Sequence, residues 1–298
     1  MLGSDKKALL IVNPVAGRKT IQKAIPSVVR IFMDAGYVVT TMVTSEKGEA
    51  VSLAGSYGAD HDLVVAAGGD GTLNEVVSGM LAKDLRVPIG YIPCGSTNVF
   101  AQAQGISSDI LSAAAAIANG PIREIDVACY SERRFACCAT FGAFTWMAYT
   151  TDQELKNLLG MGAYVLDGAH DLSKIKPWHV RISVNGVPYE DDYVFGAVSN
   201  THSVAGILQY PKDLVSLDDG RFEVLLIKMP QSLPEWQLLL HSIRSRDYGS
   251  CPLIEFAQAQ NIWVDNPEGL IWSLDGERAD EQKTVGIRIQ QRILKLKG

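Results

Sequence analysis

The chain has 298 residues, 47% of them hydrophobic and 20% charged, which suits two globular domains with buried cores. A net charge of −6 argues against a nucleic-acid-binding surface as the main function. The chain has no run of eighteen apolar residues, no apolar secretory segment near its start, and no C-x-x-C spacing among its five cysteines. We therefore expect a cytoplasmic protein with reduced thiols and without a transmembrane segment, a disulfide framework or a zinc site.

The first part of the chain alternates short apolar runs with amphipathic segments. Buried strands are predicted at residues 8–12, 37–43, 63–67 and 87–92, and helices at about 21–35, 48–57, 73–81 and 110–119. Pro26 lies inside the first helical pattern, so this helix either kinks there or begins nearer Ala24. The alternation predicts a parallel sheet, with ligand-binding loops at the carboxyl ends of its strands.

The stretch Gly68-Gly69-Asp70-Gly71-Thr72-Leu73-Asn74-Glu75 joins one of these strands to its helix. Its glycines allow positive φ and a close approach of a ligand to the backbone, and the N-terminus of the helix favours a phosphate. Asp70 fits such a site if a divalent cation or a polar network accompanies the phosphates. The alternative is structural, because Thr72-x-x-Glu75 has the spacing of a capping box.

After about Asp126 the alternation of apolar runs with amphipathic segments gives way to short strand-like segments separated by turns. This change predicts a second, mainly antiparallel β domain. Strands are predicted at residues 135–140, 179–184, 194–198, 222–227, 261–264, 270–274 and 284–289. Asn185-Gly186 is typical of a two-residue hairpin turn. One helix is expected between Asp152 and Leu172.

Six short motifs follow one another along nearly the whole chain. They are Asn13-Pro14-x-x-Gly17, Thr44-x-x-x-Gly48-Glu49-Ala50, Gly68-Gly69-Asp70-Gly71-Thr72-x-Asn74-Glu75, Gly95-Ser96-Thr97-Asn98-x-Phe100-Ala101, Leu217-Asp218-Asp219-Gly220-x-Phe222 and Leu274-Asp275-Gly276-Glu277. With these motifs the chain resembles the catalytic domain of the diacylglycerol kinase and sphingosine kinase superfamily, particularly the small soluble bacterial lipid kinases.

The resemblance implies an α/β nucleotide-binding domain at residues 1–126, similar to that of NAD kinases and diacylglycerol kinases, and a β-sandwich domain at residues 127–285. It also implies an active site in the cleft between them and a return of residues 286–298 to the first domain. The motifs assign ATP binding to Asn13, Thr44, Gly69, Asp70, Gly71, Thr72, Asn74, Glu75 and Ser96. The family often has threonine where this chain has Ser96, and either hydroxyl can donate to a phosphate oxygen.

The resemblance also implies Mg²⁺, both with the ATP and at a structural site. The structural site would use the carboxylate of Asp219 and the backbone carbonyls of Ser216 and Arg221, which are hard oxygen ligands. The alternative at this position is an Asp-Gly turn before a strand. Arg18 and Lys19 follow the first turn, where they either reach phosphates or lie on the surface.

Phosphoryl transfer to a hydroxyl also needs a base, which is best sought in Leu274-Asp275-Gly276-Glu277. The apolar residues before this motif place its carboxylates at the end of a buried strand, and the resemblance points to the same position. Neither observation decides between Asp275 and Glu277, which we keep together as candidates for the base. A turn at Asp275-Gly276 without a catalytic role is the structural alternative.

The implied substrate is a lipid hydroxyl, diacylglycerol-like, reached by peripheral contact with a membrane. A pocket for its acyl chains would draw on aromatic and aliphatic residues of the second domain, although such residues more often form an ordinary core. These residues are Phe135, Phe141, Phe144, Trp146, Met147, Tyr149, Leu158 and Leu159. Phe141-Gly142-Ala143-Phe144 contains less glycine than the corresponding segment of relatives. Arg133-Arg134 and Arg244-x-Arg246 either face anionic headgroups or are solvated. A homodimer is compatible with the sequence.

Two other functions are consistent with the motifs. A soluble-metabolite kinase is one, because NAD kinases and phosphofructokinases also carry Gly-Gly-Asp-Gly-Thr. A non-catalytic lipid- or nucleotide-binding regulator is the other, although Asp275 and Glu277 count against it. A Rossmann dehydrogenase and a P-loop enzyme are disfavoured, because G-x-G-x-x-G after the first strand and G-x-x-x-x-G-K-[ST] are both absent.

Overall fold

The computed structural model describes residues 6–142, 176–204, 208–211 and 214–298. The chain divides into two compact units, the first formed by Met1–Val127 with Gln291–Gly298 and the second by Ala128–Gln290. The boundaries predicted from the sequence, after residues 126 and 285, differ from these divisions by one and by five residues. Within the described ranges, no helix has the length and apolar character needed to cross a membrane.

The first unit is an α/β unit whose strands and helices alternate along the chain. Its strands are β1 (Lys6–Val12), β2 (Tyr37–Val43), β3 (Leu63–Gly68), β4 (Ile89–Pro93), the start of β5 (Ile122–Tyr130) and the end of β17 (Thr284–Lys297). Its helices are α1 (Ile21–Asp34), α2 (Glu49–Tyr57), α3 (Asp70–Ala82), α4 (Val99–Gln104) and α5 (Ile110–Asn119), with a short 3-10 helix at Gly58–Asp60.

The strands of the first unit form a parallel sheet in the order β2-β1-β3-β4-β17. Continuous apolar runs form the central strands because both faces of the sheet are covered. Side chains of α1 and α5, including Phe32 and Ile117, pack on one face with Leu10 and Val65. The pairing of Leu296 with Ile89 adds the end of the chain to this sheet.

Helix α1 begins at Ile21 and continues through Pro26. A start near Ala24 is therefore wrong. Ile21 is fully buried in the core of the first unit, and this burial stabilises the first turn of the helix despite the missing amide hydrogen of Pro26.

The second unit is a β-sandwich of antiparallel strands, as predicted. Its strands are the end of β5, β6 (Arg133–Phe135), β7 (Cys138–Gly142), β8 (Trp178–Val184), β9 (Val187–Ser199), β10 (Ser203–Val204), β11 (Leu208–Gln209), β12 (Phe222–Lys228), β13 (Ile254–Ala259), β14 (Asn261–Asp265), β15 (Trp272–Leu274), β16 (Glu277–Arg278) and the start of β17. Helix α6 (Leu233–Ser245) lies between β12 and β13.

The strands of this unit pair in the order β16-β15-β7-β9-β8-β14-β17. The acidic motif therefore lies at one end of this series of paired strands, between β15 and β16. Strands β8 and β9 form the predicted hairpin, in which Asn185 and Gly186 both have positive φ. The core of the unit contains a cluster of large side chains, in which Trp272 contacts Phe141 and Tyr130. This core holds β15, and therefore the start of the acidic motif, in place.

Helix α6 was not expected from the periodicity of the sequence. Its beginning carries a recognisable signal, because Ser232 caps the helix by accepting from the amide of Glu235, and Pro234 lies in the first turn. The helix expected between Asp152 and Leu172 lies outside the described residues.

Candidate functional site

Four loops leave the same edge of the first unit, because β1, β2, β3 and β4 are parallel. These loops and the start of α3 carry the residues to which the motifs assign ATP binding, which are Asn13, Thr44, Gly69, Asp70, Gly71, Thr72, Asn74, Glu75 and Ser96. The structure therefore brings this set together on one side of the sheet.

The loops after β3 and β4 touch backbone to backbone, and the loop after β1 packs against the loop after β4. A Cβ atom added to Gly95 would lie 2.7 Å from the Cα of Gly69, and one added to Gly17, which has a φ of +50°, would lie 2.3 Å from the carbonyl oxygen of Cys94. The amide of Cys94 also donates to the carbonyl of Gly68 at 2.7 Å. Glycine is thus required here by close packing of three loops, in addition to any approach of a ligand.

Asn13 connects the first loop to the start of α3. Its side-chain amide donates to the Thr72 hydroxyl at 3.1 Å, and its backbone amide donates to the carbonyl of Ala67 at 2.9 Å. Its side-chain oxygen accepts from the amide of Val15. The three bonds fix the turn after β1. The cationic residues that follow, Arg18 and Lys19, are exposed.

Asp70 connects the Gly-Gly-Asp-Gly loop to the loop after β4. Its carboxylate oxygens accept from the amides of Val99 at 2.9 Å and Phe100 at 3.1 Å, so it caps the N-terminus of α4. Burial raises the pKa of the Asp70 carboxyl, and the two amide hydrogens oppose this rise. These bonds place Asp70 in a polar network, which is one of the two roles expected for it from the sequence.

Helix α3 begins at Asp70 with Gly69 as its N-cap residue, so Thr72 lies within the first turn. The Glu75 carboxylate accepts from the amide of Gly48 at 2.9 Å, and through this bond it holds the loop after β2. The capping-box interpretation of Thr72 and Glu75 is therefore wrong, since the helix starts earlier than that pattern requires. The same loop is held at its base by the amide of Thr44, which donates to the carbonyl of Val12.

The loop after β4 is closed by Asn98, which has a φ of +51°. Its side chain accepts from the amide of Gly95 and donates to the carbonyl of the same residue, both at 2.8 Å. Ser96 lies within this closed turn and is exposed. Asn74 is half-buried on α3, where its side-chain oxygen accepts from the Ser78 hydroxyl. Asn98 belongs to the fourth sequence motif, but the sequence alone indicates no role for its side chain.

The acidic motif of the second unit forms a tight turn between β15 and β16. Asp275 has a φ of +48°, is 9% exposed, and donates its amide to the carbonyl of Cys138. Its carboxylate accepts from three successive amides, those of Ala136 at 2.6 Å, Cys137 at 2.8 Å and Cys138 at 2.9 Å. Successive amides of this kind form an anion-binding nest. Asp275 therefore anchors the turn to the segment between β6 and β7.

Glu277 is the first residue of β16 and is more exposed than Asp275, with 34% of its side chain accessible. Its Oε2 atom lies 2.6 Å from Nη2 of Arg133. Arg133 was expected either at a headgroup or in solvent, whereas the structure pairs it with this carboxylate. The long separation along the chain gives no local signal for such a pair.

The loop that contains the three predicted metal-binding residues is a turn of the Asx type. The Asp219 carboxylate accepts from the amide of Arg221 at 3.0 Å, and the Ser216 hydroxyl donates to Asp218 at 2.9 Å. No cluster of three or more histidine, cysteine, aspartate or glutamate side chains suited to a metal ion occurs among the residues that the structure describes. A cation here would therefore depend on backbone carbonyls as well as on Asp219.

Glu223 lies just beyond this loop and was not singled out from the sequence. It is fully buried, and its Oε2 atom has no hydrogen-bond partner within the described part of the chain. Burial raises the pKa of the Glu223 carboxyl to about 8, and the nearby Asp219 carboxylate adds to the rise. Burial therefore favours the neutral form of this carboxyl over the charged form.

We expect the free energy of unfolding of Glu223→Gln to rise relative to that of the wild type as the pH increases from about 5 to 8. Between the ordinary pKa of 4.5 and the raised value, the unfolded wild type loses a proton that the folded state keeps. Each pH unit in this window therefore lowers the stability of the wild type relative to the variant by up to about 1.4 kcal/mol. Urea unfolding in metal-free buffer from pH 4 to 8.5 measures the difference. Glu268→Gln, at an exposed position, is the control. A difference between Glu223→Gln and wild type that does not change with pH would contradict this prediction.

Two of the aromatic residues suggested for an acyl-chain pocket belong to the core of the second unit. Phe135 stacks on Phe222, and Phe141 contacts Trp272, with all four rings buried. For Phe135 and Phe141 the structure thus favours the ordinary core. The remaining suggested residues, Phe144, Trp146, Met147, Tyr149, Leu158 and Leu159, lie outside the described residues.

Comparison with known families gives matches to both parts of the chain. Residues 7–130 match the diacylglycerol kinase catalytic domain, and residues 145–296 match the YegS C-terminal NAD kinase beta sandwich-like domain. The chain is 34% identical over 274 residues to a protein of Bacillus subtilis named diacylglycerol kinase, covering 91% of this chain and 90% of that protein. It is 28% identical over 289 residues to a diacylglycerol kinase of Staphylococcus saprophyticus, covering 97% and 94%.

Two solved structures match nearly the whole chain and share its fold. A crystal structure of a diacylglycerol kinase from Bacillus anthracis matches 98% of this chain and 96% of its own, with a TM-score of 0.76 at 23% identity. A second Bacillus anthracis structure matches the same shares with a TM-score of 0.77 at 26% identity. The combination of an α/β unit and a β-sandwich is thus shared with these proteins.

Proposed function

Because the chain belongs to the diacylglycerol kinase family, we propose that it transfers the γ-phosphate of ATP to a lipid hydroxyl in the presence of Mg²⁺, with a diacylglycerol-like lipid as substrate. The observation that carries the proposal is the extent of the similarity, since it covers both the unit with the glycine loops and the unit with the acidic turn. A shared Gly-Gly-Asp-Gly-Thr motif alone would not distinguish a lipid kinase from a metabolite kinase.

In this proposal the loops of the first unit hold ATP. The amides at the start of α3 lack partners within the helix, and the positive end of the helix dipole favours a phosphate. Gly69, Gly71 and Gly95 allow the phosphates to approach the backbone, and the exposed hydroxyl of Ser96 donates to a phosphate oxygen. Asn13, Thr44, Asn74 and Glu75 complete the binding set; the bonds described above for Asn13, Thr44 and Glu75 support their role of fixing the loops.

We assign the base to Glu277 and a positioning role to Asp275. The lone pairs of the Asp275 carboxylate are directed at three backbone amides, which is the arrangement of an anchor. Glu277 is the more accessible of the two carboxylates, and it can take the proton from an incoming hydroxyl. The anchored turn keeps Glu277 at a defined position at the start of β16, directly after the turn that follows the buried strand β15.

The oxygen ligands available in this chain suit Mg²⁺. Asp70 would hold an ion at the phosphates through water, because both of its oxygens already accept amide hydrogens. Asp219, with the carbonyls of Ser216 and Arg221, would hold a structural ion, and the partnerless buried oxygen of Glu223 beside Asp219 is consistent with a cation at that position. When bound at the phosphates, Mg²⁺ supplies charge that neutralises the transferring group.

A cytoplasmic location, peripheral contact with the membrane surface and a homodimeric state belong to the same proposal. The hydroxyl of a diacylglycerol-like substrate lies at the surface of a bilayer, so the enzyme must meet it there. Flotation with vesicles measures the membrane contact, and light scattering measures the oligomeric state.

A panel of acceptors tests the proposed function. The chain is incubated with γ-labelled ATP, Mg²⁺ and separately with diacylglycerol, a sphingoid base, phosphatidylglycerol, a polyprenol and NAD, and the products are separated by chromatography. We expect the label on diacylglycerol. Label on NAD alone would establish the metabolite-kinase alternative. Bound ATP without any labelled product would favour the non-catalytic regulator.

A further inference from the structure

We propose that Arg133 is a positioning residue for the catalytic base, a role that rests on the proposed function of Glu277. Arg133 is the first residue of β6, which forms a hairpin with β5 in which Arg133 pairs with Tyr130. The hairpin thus fixes the backbone from which its side chain extends to β16.

The guanidinium of Arg133 binds β16 at two points. Its Nη2 atom donates to Oε2 of Glu277 at 2.6 Å, and its Nη1 atom donates to the backbone carbonyl of Arg278 at 2.8 Å. One planar group thus holds both the side chain of the base and the backbone next to it. This two-point contact defines the orientation of the carboxylate, because the donors of an arginine have a fixed geometry.

The same segment of chain also anchors the other half of the turn. The amides of Ala136, Cys137 and Cys138 bind the carboxylate of Asp275, three to five residues after Arg133. Residues 133–138 therefore hold the acidic turn through the Asp275 carboxylate on one side and through the Glu277 carboxylate on the other.

The exposure of the pair indicates that its main effect is on orientation. Both side chains are 34% exposed, and an ion pair at this level of exposure contributes little to folding stability. A base, by contrast, acts only within hydrogen-bond reach of the proton that it removes, and a small displacement lowers the rate strongly. Loss of Arg133 should therefore affect turnover more than folding.

Steady-state kinetics with lipid and ATP measure the effect on turnover in four variants. These variants are Arg133→Gln, Arg133→Lys, Glu277→Gln and the double variant Arg133→Gln/Glu277→Gln. We expect Arg133→Gln to lower kcat about 10- to 100-fold with the KM for ATP within about twofold of wild type. Arg133→Lys keeps the charge without the two-point contact, and its kcat should lie between those of Arg133→Gln and wild type. The double variant should match Glu277→Gln within about threefold, because Arg133 acts through Glu277.

Arg288→Gln is the matched control, since it removes an exposed arginine from another strand of the second unit, and its kcat should stay close to that of wild type. Thermal melting of each variant measures its folding, and Arg133→Lys decides the question if Arg133→Gln does not fold. The inference is overturned if Arg133→Gln, or the folded Arg133→Lys in its place, keeps wild-type kcat while Glu277→Gln is impaired. It is also overturned if the double variant falls below Glu277→Gln by the full factor of Arg133→Gln. Wild-type turnover in Glu277→Gln would instead remove the proposed base, and the role of Arg133 with it.

Discussion

Glu277→Gln is expected to lower the kcat for phosphoryl transfer to a lipid hydroxyl by about 10²- to 10⁴-fold, the usual contribution of a general base. Glutamine has nearly the same shape but cannot accept a proton from the incoming hydroxyl. The KM for ATP should change little, because the residues to which ATP binding is assigned lie in the loops of the first unit. Steady-state kinetics with varied ATP and varied lipid measure both quantities, and melting temperatures show whether folding is unchanged.

Asp275→Asn is the informative comparison for this prediction, because turnover should fall in both variants for different reasons. The asparagine amide would face backbone donors that now bind a carboxylate, so we expect a loss of about 3 kcal/mol of folding stability. Glu277→Gln should melt close to the wild type, since its side chain is partly exposed. Wild-type turnover in both variants would refute the assignment of the base to this turn. If Asp275→Asn had the same melting temperature as the wild type, the role of Asp275 as an anchor would be refuted.

Gly95→Ala is expected to weaken ATP binding by about tenfold or more, which corresponds to about 1.4 kcal/mol. The new Cβ atom would lie 2.7 Å from the Cα of Gly69 and 2.8 Å from the side-chain oxygen of Asn98, so the loops after β3 and β4 must separate. The backbone groups that are proposed to face the phosphates belong to these loops. Isothermal titration with ATP measures the affinity.

The control for this substitution is Gly249→Ala, since a Cβ atom there meets nothing within 4 Å and the φ of Gly249 lies outside the left-handed range. Its affinity for ATP should equal that of the wild type. Gly95→Ala should also fold, because the strain is confined to the loops. If Gly95→Ala bound ATP as tightly as Gly249→Ala, the loops would not form the nucleotide site.

The sequence predicts the parts of this protein that depend on local pattern. Continuous apolar runs identify β1, β3 and β4, because buried parallel strands leave no polar face. Asn185-Gly186 identifies the β8–β9 hairpin, because both positions require positive φ. The same reasoning places the loops on one edge of the first unit, since parallel strands end on the same side.

Contacts between distant residues could not be predicted in this way. The bonds from Asp70 to Val99 and Phe100 connect two motifs, and the bond between Arg133 and Glu277 spans nearly half of the chain. Nothing in the neighbourhood of these residues indicates their partners. The proposed choice between Asp275 and Glu277 depends on such contacts, because the bonds to three amides mark Asp275 as an anchor and leave Glu277 as the more accessible carboxylate.

Helix α6 was missed for a different reason. Trp236, Leu239 and Ile243 recur at helical spacing, but the run 238–240 between them is continuously apolar, and a short apolar run does not by itself distinguish a helix from a buried strand. The signal that it does carry lies in its cap, where Ser232 is followed three residues later by Glu235, with Pro234 between them. Capping patterns therefore add information where the hydrophobic pattern is insufficient.

The most direct test of the proposed activity is the transfer of label from γ-labelled ATP to diacylglycerol in mixed micelles, measured together with the amount of ATP bound. The wild type should produce labelled phosphorylated diacylglycerol in the presence of Mg²⁺, and Glu277→Gln should bind ATP while producing about 10²- to 10⁴-fold less. Equal product from both proteins would contradict the role of Glu277. Bound ATP with no labelled lipid from the wild type would contradict the assignment of the chain as a diacylglycerol-directed lipid kinase.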